Sequence, residues 1–285
     1  MQYVVIHDIP VYYEIYGTGT PIIMLHGFGC DHRLMKGCME PLFRDGADQD
    51  EDNPWHSEWQ RIYLDLPGMG RTPGSDHLKN TDDILALVID FINTVIPGQR
   101  FLLAGESYGG YLSRGILLRN FEQVAGMALI APGIILDPSR RNAPPRSIIV
   151  ENPQLLASLA PKDAEEFGAM AVVQDEYNWE RFRDEILSGA SMSDAAFLEK
   201  IRYGQYGYSF DVDSLLPPFS KPVLILTGRQ DHIAGYRNAW HILENYPRAT
   251  FAVLDRSGHN VHIEQNKLFN ALVNEWLDRV HESME

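Results

Sequence analysis

Gly105-Glu106-Ser107-Tyr108-Gly109, followed by Gly110, places a serine between glycines directly after the apolar run FLLA and directly before YLSRGILLRN. A G-x-S-x-G in that setting is a nucleophile elbow: the serine takes a sharp, strained strand-to-helix turn, and the small flanking residues let strand and helix approach closely. The hydroxyl then projects above the sheet edge at the positive end of the following helix. The bare pattern also occurs as a chance turn, and the strand before it with the helix after it is what separates the two readings. Such a serine needs a base. His259, in Ser257-Gly258-His259-Asn260, follows the last apolar run TFAVLD, and Asp231, in Gly228-Arg229-Gln230-Asp231-His232, follows VLILT. Ser107, Asp231, His259 is the chain order of a triad built on this kind of elbow. His26-Gly27-Phe28-Gly29 follows PIIML, where a glycine-rich turn can face the serine. The backbone N–H groups of Phe28 and Tyr108 are the candidate oxyanion donors.

Other readings of the same residues fare worse. His26 alone reads as a structural hydrogen-bonder, and His232 and His262 read the same way, because His232 must point away from its neighbour Asp231 and His262 opens the final helix. His259 and His262 do not make a metal pair, since there is no HExxH and no third ligand nearby. Gly68-Met69-Gly70 lacks the third glycine of a dinucleotide loop, and no GxxxxGK[ST] occurs. The expectation is therefore no cofactor and no metal.

Chemistry at three distant positions requires elements that converge. Eight apolar or β-branched runs, most bounded by Gly, Pro or Asp, predict strands at 2–6, 11–16, 21–25, 60–65, 100–104, 125–131, 222–227 and 250–254. The first two are close enough for a hairpin. Later ones are continuously apolar, as strands covered on both faces must be. Between them lie helical patterns near 33–43, 81–96, 108–120, 233–246 and 263–281. The clearest, 81–96, has Thr81 as its expected cap, Asp82 and Asp83 at the positive end of its dipole, and Pro97-Gly98 as its stop. This alternation predicts an α/β fold: a mostly parallel eight-stranded sheet with helices on both faces. Loops after parallel strands meet at the carboxyl edge of the sheet, where Ser107, Asp231 and His259 would gather.

One stretch breaks the rhythm. From about 134 to 216 no strand is expected, and helical texture near 151–159, 161–173, 176–188 and 193–203 is punctuated by prolines. Residues 134–216 are expected to form a helical lid on a core made of 1–133 and 217–285. Its aromatic residues Tyr177, Trp179, Phe182, Tyr203, Tyr206 and Tyr208 suit either an apolar substrate pocket or the lid's own core. The acidic insert DGADQDED at 45–52 matches no calcium loop.

Composition bounds the rest. With 285 residues, 45% hydrophobic and 22% charged, the chain is long enough for a large core. Its net charge of −15 would repel nucleic acid. No 18-residue apolar stretch and no secretory leader are visible, so no membrane partner is expected and a cytoplasmic location is. Cys30 and Cys38 match no metal or redox spacing and fit free thiols in a reducing compartment.

Taken together, PIIMLHGFG at 21–29, RIYLDLPGMGRT at 61–72, LLAGESYGGY at 102–111, LTGRQDHI at 226–233 and DRSGHN at 255–260 resemble the α/β-hydrolase superfamily, over nearly the whole length. The resemblance is to its lid-bearing branch of esterases, cofactor-free haloperoxidase-like enzymes, C–C bond hydrolases and proline iminopeptidases. It implies Ser107 as nucleophile, Asp231 as acid, His259 as base, Phe28 and Tyr108 as oxyanion donors, and a structural role for the turn from Asp65 to Gly70. Dehalogenases and epoxide hydrolases of this branch carry Asp where Ser107 stands, and iminopeptidases usually carry Trp where Tyr108 stands. The expected function is hydrolysis of a small carboxylic-ester-type substrate through an acyl-enzyme. C–C or amide cleavage with the same triad, or a non-catalytic ligand receptor, are the alternatives. The sequence leaves the oligomeric state open.

Overall fold

A computed structural model describes residues 2–43, 58–215 and 217–285. The acidic insert at 45–52 lies outside the described residues. All eight expected strands are present: β1 (Gln2–Ile6), β2 (Ile9–Tyr16), β3 (Thr20–Leu25), β4 (Trp59–Leu64), β5 (Phe101–Glu106), β6 (Val124–Ile130), β7 (Val223–Gly228) and β8 (Ala249–Leu254). They form one sheet in the order β1-β2-β4-β3-β5-β6-β7-β8. β1 and β2 make the expected hairpin, β2 runs antiparallel to β4, and every pairing from β4 through β8 is parallel.

The helices are α1 (His32–Met39), α2 (Thr81–Val95), α3 (Tyr108–Arg119), α4 (Pro153–Ser158), α5 (Pro161–Met170), α6 (Glu176–Phe182), α7 (Ser188–Ala190), α8 (Ala195–Gln205), α9 (Tyr236–His241), α10 (Val261–Glu264) and α11 (Asn266–Met284). Strand alternation assigns each helix its side of the sheet. Phe101 and Leu103 of β5, Met127 and Leu129 of β6 and Ile225 of β7 join a core with α2 and α3. Their neighbours Leu102, Ala104, Ala128, Ile130, Leu224 and Leu226 join a second core with α1 and α11. A period of two thus feeds two layers, and helices with one apolar stripe close each. On α11 the stripe is Phe269, Val273, Trp276, Leu277 and Val280, all buried. β5 and β7 are buried throughout, as their unbroken apolar runs require, whereas β8 at the sheet edge is half-exposed along its length.

One local expectation needs correction. The side chain that caps α2 is Asn80, which accepts the Asp83 N–H at 2.9 Å, and not Thr81. Thr81 is turned inward instead: its hydroxyl donates to the Tyr206 carbonyl at 2.7 Å and lies 3.0 Å from the Tyr108 hydroxyl. Two neighbouring polar residues compete for one cap, and the longer Asn side chain takes it while Thr81 satisfies buried groups.

Among the described residues no strand lies between Ile130 and Val223; that span carries α4 to α8. Phe167 of α5 packs its ring against Trp179 and Phe182 of α6, each at 5.5 Å, making a small core separate from the sheet. Among the described residues no helix is long and apolar enough to cross a membrane.

Candidate active site

Ser107 occupies the junction of β5 and α3 with φ 52° and ψ −111°, outside the usual wells for a residue with a side chain. Such a conformation costs about 1–3 kcal/mol and persists only where its surroundings over-determine it. Here the Ser107 N–H donates to Ile130 O at 2.9 Å, and Ser107 O accepts from Tyr111 N–H at 3.1 Å and Gly133 N–H at 2.9 Å. The turn also needs its glycines. A Cβ on Gly105 would sit 2.4 Å from the Gly109 backbone, and one on Gly109 would sit 2.0 Å from the Leu25 carbonyl oxygen. Strand and helix approach too closely there for any side chain.

The loops after β7 and β8 bring the other two residues to that turn. His259 Nε2 lies 2.9 Å from Ser107 Oγ, and His259 Nδ1 lies 3.0 Å from Asp231 Oδ2. The remaining Asp231 oxygen accepts the N–H groups of Ile233 at 2.9 Å and Ala234 at 3.0 Å. With no proton of its own, the carboxylate fixes the imidazole as the tautomer carrying hydrogen on Nδ1. Nε2 then offers its lone pair to the Ser107 hydroxyl. Asp231 is fully buried and His259 nearly so. Burial penalises the Asp231 charge, but the imidazole and the two backbone N–H groups hold its carboxyl below the ordinary range. Burial likewise opposes a proton on His259, but Asp231, with Glu106 behind it, lifts the imidazole to about 9.

The loop after β3 lies against the serine, for a Cβ on Gly27 would come 3.4 Å from Ser107 Cβ. His26, fully buried, ties that loop down: its Nε2 accepts the Leu66 N–H at 3.0 Å, which leaves Nδ1–H to donate to Gly27 O at 2.8 Å. Burial keeps it neutral by pushing its pKa down. Phe28 follows on this loop and Tyr108 opens α3 beside it, their rings in edge contact at 5.2 Å. Tyr206, just past α8, completes an aromatic group by stacking on Tyr108 at 5.5 Å and meeting Phe28 at 4.9 Å. The other aromatic residues of 134–216 divide differently. Trp179 and Phe182 belong to the α5–α6 core, Tyr208 stacks on Tyr111 at 4.4 Å, and Tyr177 and Tyr203 are exposed.

Other acidic and imidazole side chains stay apart from this constellation. Asp137 is exposed and bonded to Ser139. His262 is buried near the Phe269 ring, and burial together with Arg181 drives it down to about 3. Asp31, His32 and Asp65 offer the one grouping of metal-type ligands among the described residues. Their atoms are already engaged: Asp65 accepts from His32 N–H, His32 Nδ1 and Arg71 N–H, while Asp31 holds the Arg33 guanidinium. Cys30 and Cys38 are free thiols.

Two acidic residues at the site escaped sequence reasoning. Glu106 is 2% exposed, with Oε1 3.4 Å from His259 Nε2. Glu264 accepts the N–H groups of Val172 at 2.6 Å, Val173 at 3.2 Å and Gly258 at 2.6 Å, joining the helical insertion to the loop that carries His259. Glu106 had a signal, a charged residue closing an otherwise apolar strand. Glu264 had none, because its partners are backbone groups far apart in the chain.

The eight-stranded sheet, the elbow and the Ser107–His259–Asp231 line define a hydrolase of the α/β type. The chain belongs to the alpha/beta hydrolase family, whose model matches residues 22–272. A solved alpha/beta superfamily hydrolase from Oenococcus oeni PSU-1 is 28% identical and superposes with a TM-score of 0.83, covering 99% of this chain and 100% of that one. A pimeloyl-[acyl-carrier protein] methyl ester esterase of Legionella pneumophila (strain Corby) is 23% identical, the match covering 94% of this chain and 99% of the relative. A thermophilic esterase from Thermogutta terrifontis, 20% identical with a TM-score of 0.66 over 99% of this chain and 100% of that one, shares the fold.

Proposed function

We propose that this hydrolase cleaves a small carboxylic ester through an acyl-enzyme on Ser107. The 2.9 Å contact between His259 Nε2 and Ser107 Oγ carries the reading, because it joins a strained, exposed-side nucleophile to a base whose tautomer is already set. His259 takes the Ser107 proton as the oxygen attacks the ester carbonyl. Asp231 holds the imidazole in position and stabilises its charged form. The backbone N–H groups of Phe28, on the loop after β3 that lies against the serine, and of Tyr108, at the first position of α3, suit the developing oxyanion. A donor of that kind is typically worth about 3 kcal/mol of barrier. The protonated imidazole then delivers its hydrogen to the leaving alkoxide, and water repeats the sequence to release the acid. The names of the esterase relatives favour an ester over an amide or C–C bond.

In this reading 1–133 and 217–285 are the catalytic core and 134–216 is a cap whose Tyr206 walls the substrate site over Phe28 and Tyr108. The test is turnover of p-nitrophenyl acyl esters of increasing chain length. Hydrolysis by the native protein that is lost in Ser107→Ala is expected. A native protein inert toward all chain lengths would overturn the ester assignment.

A further inference from the structure

We propose that Glu106 is a second carboxylate partner of His259, a positioning residue that steadies the imidazolium from the Nε2 edge while Asp231 steadies it from the Nδ1 edge. The inference rests on the serine-hydrolase reading of the site and adds to it a group that the serine, base and acid do not require.

A carboxyl at the end of β5 with 2% exposure has left water, and among the described residues no arginine or lysine pairs with it. Removing an anion from water is costly unless a cation or donors receive it. What surrounds Glu106 is the Gly27 backbone beside one oxygen and the His259 ring beside the other: a Cβ on Gly27 would sit 2.3 Å from Oε2, and Oε1 is 3.4 Å from His259 Nε2. The groups facing it are His259 and Asp231 from the loops after β8 and β7, the thiols of Cys30 and Cys38 from the segment after β3, and the Tyr206 phenol from the insertion. Of these, only His259 can become a cation, and His259 itself also faces the Arg141 guanidinium from the insertion and the imidazoles of His232 and His262. Burial is the main cause that pushes Glu106 up to about 7, Asp231 adds to it, and the imidazole and the Gly27 N–H pull the other way.

The consequence follows the proton. In the neutral tautomer, the form able to act as base, Nε2 carries no hydrogen and faces Ser107, so Glu106 contributes little beyond its field. Once the Ser107 proton has moved to Nε2, the imidazolium has a carboxylate at each edge, and the new N–H is shared between the reacting oxygen and Glu106. Glu106 takes no proton in this step. It lowers the energy of the state in which the imidazole holds one, and it raises the pH needed to free the base beforehand.

Glu106→Gln keeps the shape and removes the charge. Without the carboxylate the imidazolium loses a partner, so His259 releases its proton more readily and the acid limb of kcat/KM for a neutral p-nitrophenyl ester moves to lower pH. A shift of about one pH unit corresponds to a tenfold change in the proton affinity of the ring. On the alkaline plateau kcat should fall about tenfold with KM little changed, because the lost interaction belongs to the charged state. The same titration is read directly by ¹⁵N NMR of His259 in the Ser107→Ala protein, with and without Glu106→Gln, where no turnover is needed. A lower His259 midpoint in the Gln protein supports the proposal. An unchanged midpoint overturns it, whatever the activity. Glu106→Asp, which keeps the charge, should titrate nearer to wild type than Glu106→Gln, and equal midpoints for the two variants would count against the charge. If the native protein hydrolysed no ester at all, the ester reading would fall while the NMR comparison still decided the role of Glu106.

Discussion

Asp213→Asn tests whether a charge pair at the base of the insertion holds it to α3, the helix that follows the serine. Arg114, two turns into α3 from Ser107, is fully buried; its guanidinium donates to Asp213 Oδ1 at 2.9 Å and to the Ile134 carbonyl at 3.2 Å. The two partners lie at the two ends of the 134–216 span, so one cation fastens both stems. Removing one member of a buried pair leaves the other uncompensated and typically costs 3–5 kcal/mol. The Asp213 side chain is 33% exposed, however, while that of Arg114 is 0%. Water at the carboxylate end screens part of the loss, and burial raises the Asp213 pKa despite Arg114, so the cost comes from stranding the fully buried guanidinium and about 2–3 kcal/mol is the better figure. At roughly 2.1 cal/mol/K per residue, 285 residues give an unfolding entropy of roughly 0.6 kcal/mol per degree. Tm should therefore fall by about 3–5 °C in a circular dichroism melt. The double variant Arg114→Met with Asp213→Leu should recover most of that loss, because an apolar pair has no charge to strand. A single variant within about 0.5 kcal/mol of wild type, or a double variant no better than the single, would refute the reasoning.

A fluorophosphonate probe should label the native protein and fail to label Ser107→Ala; labelling that persists would place the nucleophile elsewhere. Asp231→Asn should lower kcat by about 10⁴, since an amide favours the wrong imidazole tautomer, whereas Asp137→Asn, at an exposed site, should stay near wild type in steady-state assays. Tyr206→Ala should change relative kcat/KM between short and long acyl esters, while Trp179→Ala, which empties the α5–α6 core, should cost about 3–5 kcal/mol of stability in denaturant titrations and leave that ratio alone. The folded protein holds His262 at about 3 against an ordinary 6.5, so it binds a proton there less readily than the unfolded chain. The resulting stability is complete above about pH 6.5 and is lost as pH falls toward 3. His262→Leu should therefore lose less stability than wild type between pH 7 and pH 4.5, and an equal loss would contradict the burial argument.

The sheet and the Ser107, Asp231 and His259 positions were legible because each is marked locally. Apolar runs two faces deep identify parallel strands, and a serine flanked by glycines at a strand-to-helix boundary has few other uses. The order of the strands then brings the three loops to one edge without further information. Local marks fail where two residues offer the same service or where the partner is remote. Asn80 and Thr81 both suit a cap, and the choice between them was made by Tyr108 and Tyr206, 125 positions away in the second case. The aromatic residues of the insertion look alike in sequence, yet Tyr206 reaches Phe28 and Tyr108 while Trp179 and Phe182 close on Phe167. Helical spacing says which side of a helix is apolar, and it is silent on what that side covers.

The same remote contacts explain how the insertion and the site depend on each other. Arg114 fastens the ends of 134–216 to α3, whose first turn follows Ser107. Glu264 fastens Val172 and Val173, within the insertion, to Gly258, next to His259. Thr81 fastens the Tyr206 carbonyl beside the Tyr108 hydroxyl. Three polar side chains of the sheet-bearing region thus hold the insertion at three points: Arg114 and Glu264 lie within about two helical turns of Ser107 and His259, and the Thr81 hydroxyl is 3.0 Å from that of Tyr108. Buried polar groups of this kind are costly when half-satisfied, so loosening the insertion would strand donors and acceptors next to Ser107, His259 and Tyr108 at once. An insertion attached in this way can vary the helices between its anchors so long as the anchored groups, the Asp213 carboxylate and the backbone of Ile134, Val172, Val173 and Tyr206, stay in place.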